Sequence, residues 1–86
     1  MKFLHYPVAA SDGNIVEVTL SKQANVRLMD DANFSRFRRG QRHSFHGGLA
    51  KVSPIRISVP HEGAWNVVVD LGGYAGSVSA GVRVIS

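Results

Sequence analysis

The sequence predicts an all-β fold, a single antiparallel β-sandwich (jelly-roll-like) with one short helical turn around residues 30–39. Three observations predict it. Apolar and polar residues alternate with a period of two in five separate segments, as in strands that lay one face on a core. Clusters of Gly, Asp, Asn and Pro punctuate those segments at short intervals, supplying the dihedrals that turns require. The composition, 44% hydrophobic and 19% charged over 86 residues, is that of a globular chain and fits one domain over residues 1–86.

The elements follow in order. Phe3 to Val8 reads as a first strand, and "SDGN" (11–14) as the turn after it. In "NIVEVTL", Val16, Val18 and Leu20 share one face while Ile15, Glu17 and Thr19 share the other. "ANVRLM" sets Val26 and Leu28 against Asn25 and Arg27. The stretch 30–40, "DDANFSRFRRG", is the one helical signal. Asp30 or Asp31 caps its start, Phe34 and Phe37 fall at i and i+3, and Arg38 and Arg39 occupy the last turn before Gly40. "RHSFH" (42–46) is read as a further strand. "SPIRISVP" places Ile55, Ile57 and Val59 opposite Arg56 and Ser58, bracketed by Pro54 and Pro60 where a missing N–H does least harm. After "HEG" (61–63), "AWNVVVDL" sets Trp65, Val67, Val69 and Leu71 against Asn66, Val68 and Asp70. The glycine-rich "LGGYAG" (71–76) leads to "GSVSAGVRVI", with Val78, Ala80, Val82 and Val84 inward. Six or seven short strands at this spacing suggest a sandwich or a small barrel.

Composition also bounds the function. The absence of cysteine excludes disulfides, thiolate zinc sites and a cysteine nucleophile. The opening "MKFLHYPVAASDG" is broken by His5 and Pro7 and lacks the apolar core of a signal peptide. No run approaches the ~18 apolar residues of a membrane helix. A soluble, cytoplasmic protein is expected. The net charge of +4 and pI of about 10.1 are compatible with simple solubility, and only clustering would make them a footprint for an anionic partner. Clustering is present: "NFSRFRRGQRHSFHGG" (33–48) holds Arg36, Arg38, Arg39 and Arg42 and contains no acid.

"ANVRLMDDANFSRFRRG", "GG…SPIRISVP" and "GAWNVVVDLGGYAGSVSAGVRVI" together resemble a bacterial family of small domains of unknown function. The resemblance runs from "MKFLHY" to "VRVI". It implies an all-β fold and carries no catalytic residues over. The resemblance also implies an association with the N-terminal part of longer bacterial proteins bearing a Toll/interleukin-1-receptor-like domain, and hence a recognition or regulatory module.

The residues admit several readings. Arg36, Arg38, Arg39 and Arg42, with His43, form a contact rim for an acidic protein or a phosphate-bearing ligand, since guanidinium favours bidentate phosphate contacts. The same patch reads alternatively as a nucleic-acid surface, with Phe34, Phe37 or Phe45 as stacking rings. The plain alternative is a solvated rim over core phenylalanines. His43 and His46 point to opposite faces if both lie on a strand, and no metal spacing occurs, so no metal or cofactor is expected. Ser44, Ser53 and Ser58 lack a nucleophile-elbow context, and "GGYAG" lacks the lysine and helix of a phosphate-binding loop. A chain this small is expected to offer little room for the roughly 300 Å³ of a small-molecule cleft. No enzyme is therefore expected. Asp70 is set against Arg83 or Arg56 as a solvated cross-strand pair. Trp65 reads as a core anchor, or alternatively as an exposed platform. Tyr74, in the glycine-rich loop, reads as an exposed contact residue lining a shallow rim with Asp70. Oligomeric state is open, because sandwich edges can pair with another copy.

Overall fold

In the computed structural model, which describes residues 2–86, strands β1 (Leu4–Ala10), β2 (Ile15–Leu20) and β3 (Ala24–Asp30) are followed by helix α1 (Asp31–Arg38). Strands β4 (His46–Ala50), β5 (Ile55–Ser58), β6 (Gly63–Asp70) and β7 (Ala80–Ile85) complete the chain. They form a four-stranded sheet of order β1-β6-β3-β4 and a three-stranded sheet of order β5-β2-β7, every pairing antiparallel. The all-β sandwich is thus present, with one strand fewer than the eight of a full jelly roll.

The chain changes sheet at every connection except β3 to β4, which α1 bridges within one sheet. The turns around "SDGN" and "HEG" therefore carry the chain across the sandwich and do not close hairpins. Asn14 holds the first of them: its Oδ1 accepts from the Ser11 amide at 2.8 Å, and its own amide donates to the Ser11 carbonyl at 3.0 Å.

Period-two alternation predicts most of the interior, although Val84, expected inward, is 37% exposed near the end of β7. Val16, Val18 and Leu20 of β2 meet Val26 and Leu28 of β3 and Trp65, Val67 and Val69 of β6 in one buried cluster. Ile55, Ile57 and Val82 pack against it from the small sheet's flanking strands. Each such aliphatic side chain contributes about 1.5–3 kcal/mol when fully removed from water. Trp65 is a core residue, 3% exposed, and its indole N–H donates to the His61 carbonyl at 3.1 Å.

The second face of β6 departs from expectation. Asn66, Val68 and Asp70 are as buried as their inward neighbours, because β6 is flanked by β1 and β3 and α1 lies over its outer face. Phe34 and Phe37, one helical turn apart, close with Phe3 over Met29 and Val68 as a second apolar cluster. Phe3 meets Phe37 edge-on at 5.2 Å between centroids, and His5 stacks on Phe34 at 4.1 Å. Asn66, sealed beneath the helix, is fully engaged: Oδ1 with His5 Nε2 at 2.8 Å, and Nδ2 donating to Asp31 Oδ1 at 2.8 Å and to the Met29 carbonyl at 3.3 Å. A buried amide so satisfied costs little.

The strand expected at 42–46 is displaced. Residues 41–45 are irregular and the strand begins at His46. The reason is local: the Ser44 amide is held by Asn33 Oδ1 of α1 at 2.9 Å, which keeps the chain on the helix instead of the sheet. Pairing starts where Gly47 permits it. There φ is +112°, and a Cβ would collide with the Val26 carbonyl oxygen of β3.

Candidate functional site

The basic segment is organised by α1. Asp30 caps the helix, its carboxylate accepting from the Asn33 amide at 2.8 Å and from Asn33 Nδ2 at 2.9 Å. The Asn33 amide bond is the main cause of an Asp30 pKa below its ordinary 3.8. At the other end, Gln41 N donates to the Arg36 carbonyl at 2.8 Å and Gly40 N to the Phe37 carbonyl at 3.1 Å. These two bonds, with Gly40 at φ +70°, make a Schellman cap. Arg36 and Arg38 lie in the last turn and Arg39 is the C-cap, where cations complement the negative end of the helix dipole.

Arg36, Arg38, Arg39 and Arg42 are all exposed. Among the described residues the ion pairs are Arg27–Asp70, Arg56–Glu17 and Arg83–Glu17, so none of these four has an acidic partner. The Arg38 guanidinium lies over the Phe34 ring at 5.8 Å. His43 is half-buried, its ring edge-on to Phe37 at 5.2 Å and its Nδ1 at 2.9 Å from the Gln41 carbonyl. The phenylalanines divide: Phe34 and Phe37 belong to the core, whereas Phe45 is 42% exposed. The Arg27 guanidinium lies 5.6 Å from the Phe37 ring centroid and 5.3 Å from that of Phe45.

His43 precedes β4 and His46 begins it, so the two histidines do not share a strand. Among the described residues no three His, Cys, Asp or Glu side chains are grouped to hold a metal. No helix there is long and apolar enough to cross a membrane.

The acid–base pairing expected of Asp70 is corrected. Arg56 and Arg83 both belong to Glu17, which stands directly between them in register on β2. Arg83 Nε donates to Glu17 Oε1 at 2.6 Å and Arg56 Nε to Oε2 at 3.0 Å. The hydrogen bond from Arg83, reinforced by Arg56 and opposed by burial, holds the Glu17 carboxyl below its ordinary 4.5. Asp70 instead accepts from Arg27 Nη1, from Asn25 Nδ2 at 3.0 Å and from the Gly72 amide at 2.7 Å. Its side chain is 0% exposed and that of Arg27 18%.

This hub borders a cleft of about 730 Å³ between the start of β1 and the β6–β7 loop, well above the room expected in so short a chain. Tyr74, 84% exposed, lines it together with Arg27 and Asp70. None of Arg36, Arg38, Arg39 or Arg42 does. The predicted contact residues therefore fall in two places, the arginines at the C-terminal end of α1 and Tyr74 at the cleft. Arg27 was missed as a site residue because alternation assigns it only to a polar strand face. Its one signal is that it is the sole charge on its face of β3, between Asn25 and Met29.

No curated protein and no solved structure matches the chain. A family model, the domain of unknown function DUF1883, matches residues 1–86. With the match spanning all seven strands and α1 of the sandwich, the chain belongs to the DUF1883 family.

Proposed function

We propose that the chain is a non-catalytic recognition module that binds an acidic protein or a phosphate-bearing ligand through the arginine-bearing end of α1. One observation carries this reading: Arg36, Arg38 and Arg39 at the end of α1, and Arg42 three residues beyond Arg39, are all exposed and make no salt bridge among the described residues. The other arginines are paired with acids, Arg27 with Asp70 and both Arg56 and Arg83 with Glu17. Unpaired like charges on a short segment raise the local concentration of anions and offer bidentate contacts to carboxylate or phosphate. Partly buried His43 and exposed Phe45 follow Arg42 in the chain and face each other at 5.9 Å between ring centroids. The resemblance to modules of bacterial proteins with Toll/interleukin-1-receptor-like domains supports a cytoplasmic role in signalling or defence. The exposed Phe45 ring favours nucleic acid as the second reading, because a base can stack on it beside the arginines.

Binding of poly-glutamate and of a single-stranded oligonucleotide, each at low and moderate salt, tests the proposal. The wild type is expected to bind at least one, with affinity falling as salt rises, and Arg38→Glu/Arg39→Glu to lose it with an unchanged circular dichroism spectrum. Oligonucleotide binding without poly-glutamate binding selects the second reading. A wild type that binds neither at low salt defeats both.

A further inference from the structure

The cleft has a chemistry of its own. Its apolar wall is the open end of the sandwich core, where Leu4, Val69, Leu71 and Val78 meet. Its charges are Lys2, Arg27 and Asp70. Asp70 is engaged by Arg27, Asn25 and the Gly72 amide, so the pair cancels in charge and Lys2 leaves the cleft a net positive charge. Arg27 is the informative group. A guanidinium carries five N–H donors, yet among the described residues only Nη1 of Arg27 has an acceptor. Asp70 and the flanking rings of Phe37 and Phe45 hold it in place at 18% exposure. An ordered, partly desolvated guanidinium with unused donors beside an apolar wall is preorganised for an anion.

We infer that this cleft binds a small organic anion, with one carboxylate or phosphate headgroup on Arg27 and Lys2 and an apolar body on Leu4, Leu71 and Val78. A volume of about 730 Å³ lies within the range of small-molecule sites. A cation meets like charge there, and a neutral ligand leaves the guanidinium donors unanswered. The loop is built into the same device. Gly72, at φ +65° with only Asn25 Nδ2 near its missing Cβ, presents its amide to the carboxylate that also positions Arg27. Tyr74 adds an exposed ring from that loop. The site is separate from the α1 arginines and stands or falls independently of them.

The test uses two fluorescent probes with one aromatic body: anilinonaphthalene sulfonate, which is anionic, and N-phenyl-1-naphthylamine, which is neutral. The anionic probe is expected to bind one per folded chain, with amide shifts concentrated at Gly72, Gly73, Gly76 and Ser77. Binding is expected to be lost in Ser77→Trp, which fills the cleft. It is expected to weaken about tenfold in Lys2→Glu, the effect of reversing one water-exposed charge near the headgroup. Arg38→Glu/Arg39→Glu leaves it unchanged, and the neutral probe binds at least tenfold more weakly. Competition by decanoate or by decyl phosphate distinguishes a carboxylate from a phosphate headgroup. The inference is overturned if binding is not saturable, if shifts centre elsewhere, if Ser77→Trp binds normally, if the two probes bind equally, or if neither competitor displaces the probe.

Discussion

The Arg27–Asp70 pair is the sharpest place to test the energetics of this fold, because its two partners are unequally buried. Asp70 is sealed, at 0% side-chain exposure, whereas Arg27 is 18% exposed. Arg27→Met leaves a carboxylate in the interior with only Asn25 Nδ2 and the Gly72 amide as donors. Breaking a buried pair in this way costs about 3–5 kcal/mol, and the two surviving donors place this case near 3. Asp70→Asn leaves a guanidinium that water reaches, at a cost of about 1–2 kcal/mol. The double variant is expected to lose less than the sum by about 1–2 kcal/mol. Trp65, the only tryptophan and a buried one, reports unfolding in urea. With a slope of about 1 kcal/mol/M for a small domain, Arg27→Met lowers the midpoint by about 3 M. A domain of 86 residues has about 4–13 kcal/mol to lose, so the variant is measured with and without a stabilising osmolyte. If Arg27→Met costs under 1 kcal/mol, or if Asp70→Asn costs more than Arg27→Met with no coupling between them, the reasoning is wrong.

Two further predictions concern the outer layers. Phe34→Ala removes a ring packed against Phe3 and His5, and should destabilise by about 3 kcal/mol in the same urea assay; a loss under 1 kcal/mol would mean that α1 is not a second core. Glu17 and Asp30 have carboxyl groups held below their ordinary 4.5 and 3.8, so their contributions are complete above those values and disappear as pH falls through the lowered ones. Stability should therefore drop as pH falls below about 4.5, and more steeply in the wild type than in Glu17→Gln; equal slopes would remove Glu17 from the account.

The strand interior was legible because side-chain alternation is a local property of the extended chain. Val16, Val18 and Leu20, or Ile55, Ile57 and Val59, need no knowledge of their neighbours to be placed inward. The helix was equally legible, since Asp30, Phe34, Phe37 and Gly40 act within a few residues of one another. What alternation cannot show is what covers the other face. Alternation assigns Val68 and Asp70 to an outer, largely polar face, yet both are buried, because α1 covers Val68 and Arg27, Asn25 and Gly72 engage Asp70. The strand at 42–46 failed for a related reason: Asn33 and Gly47 decide where pairing with β3 begins, and both act through partners on other elements.

The candidate site divides along the same line. Arg36, Arg38, Arg39 and Arg42 are visible as a cluster in sequence because they lie within seven residues at and just beyond one short helix end. The pairing of Arg27 with Asp70 joins residues 43 positions apart, and the choice of Glu17 as the acid for both Arg56 and Arg83 rests on strand register. The sequence by itself thus determined the sandwich, its core faces and the basic helix end, all of them consequences of short-range periodicity and capping. Only the tertiary structure decided which acid neutralises which arginine and where a cleft opens, because sheet order and layer stacking bring those groups together and neither is written in any local stretch of chain.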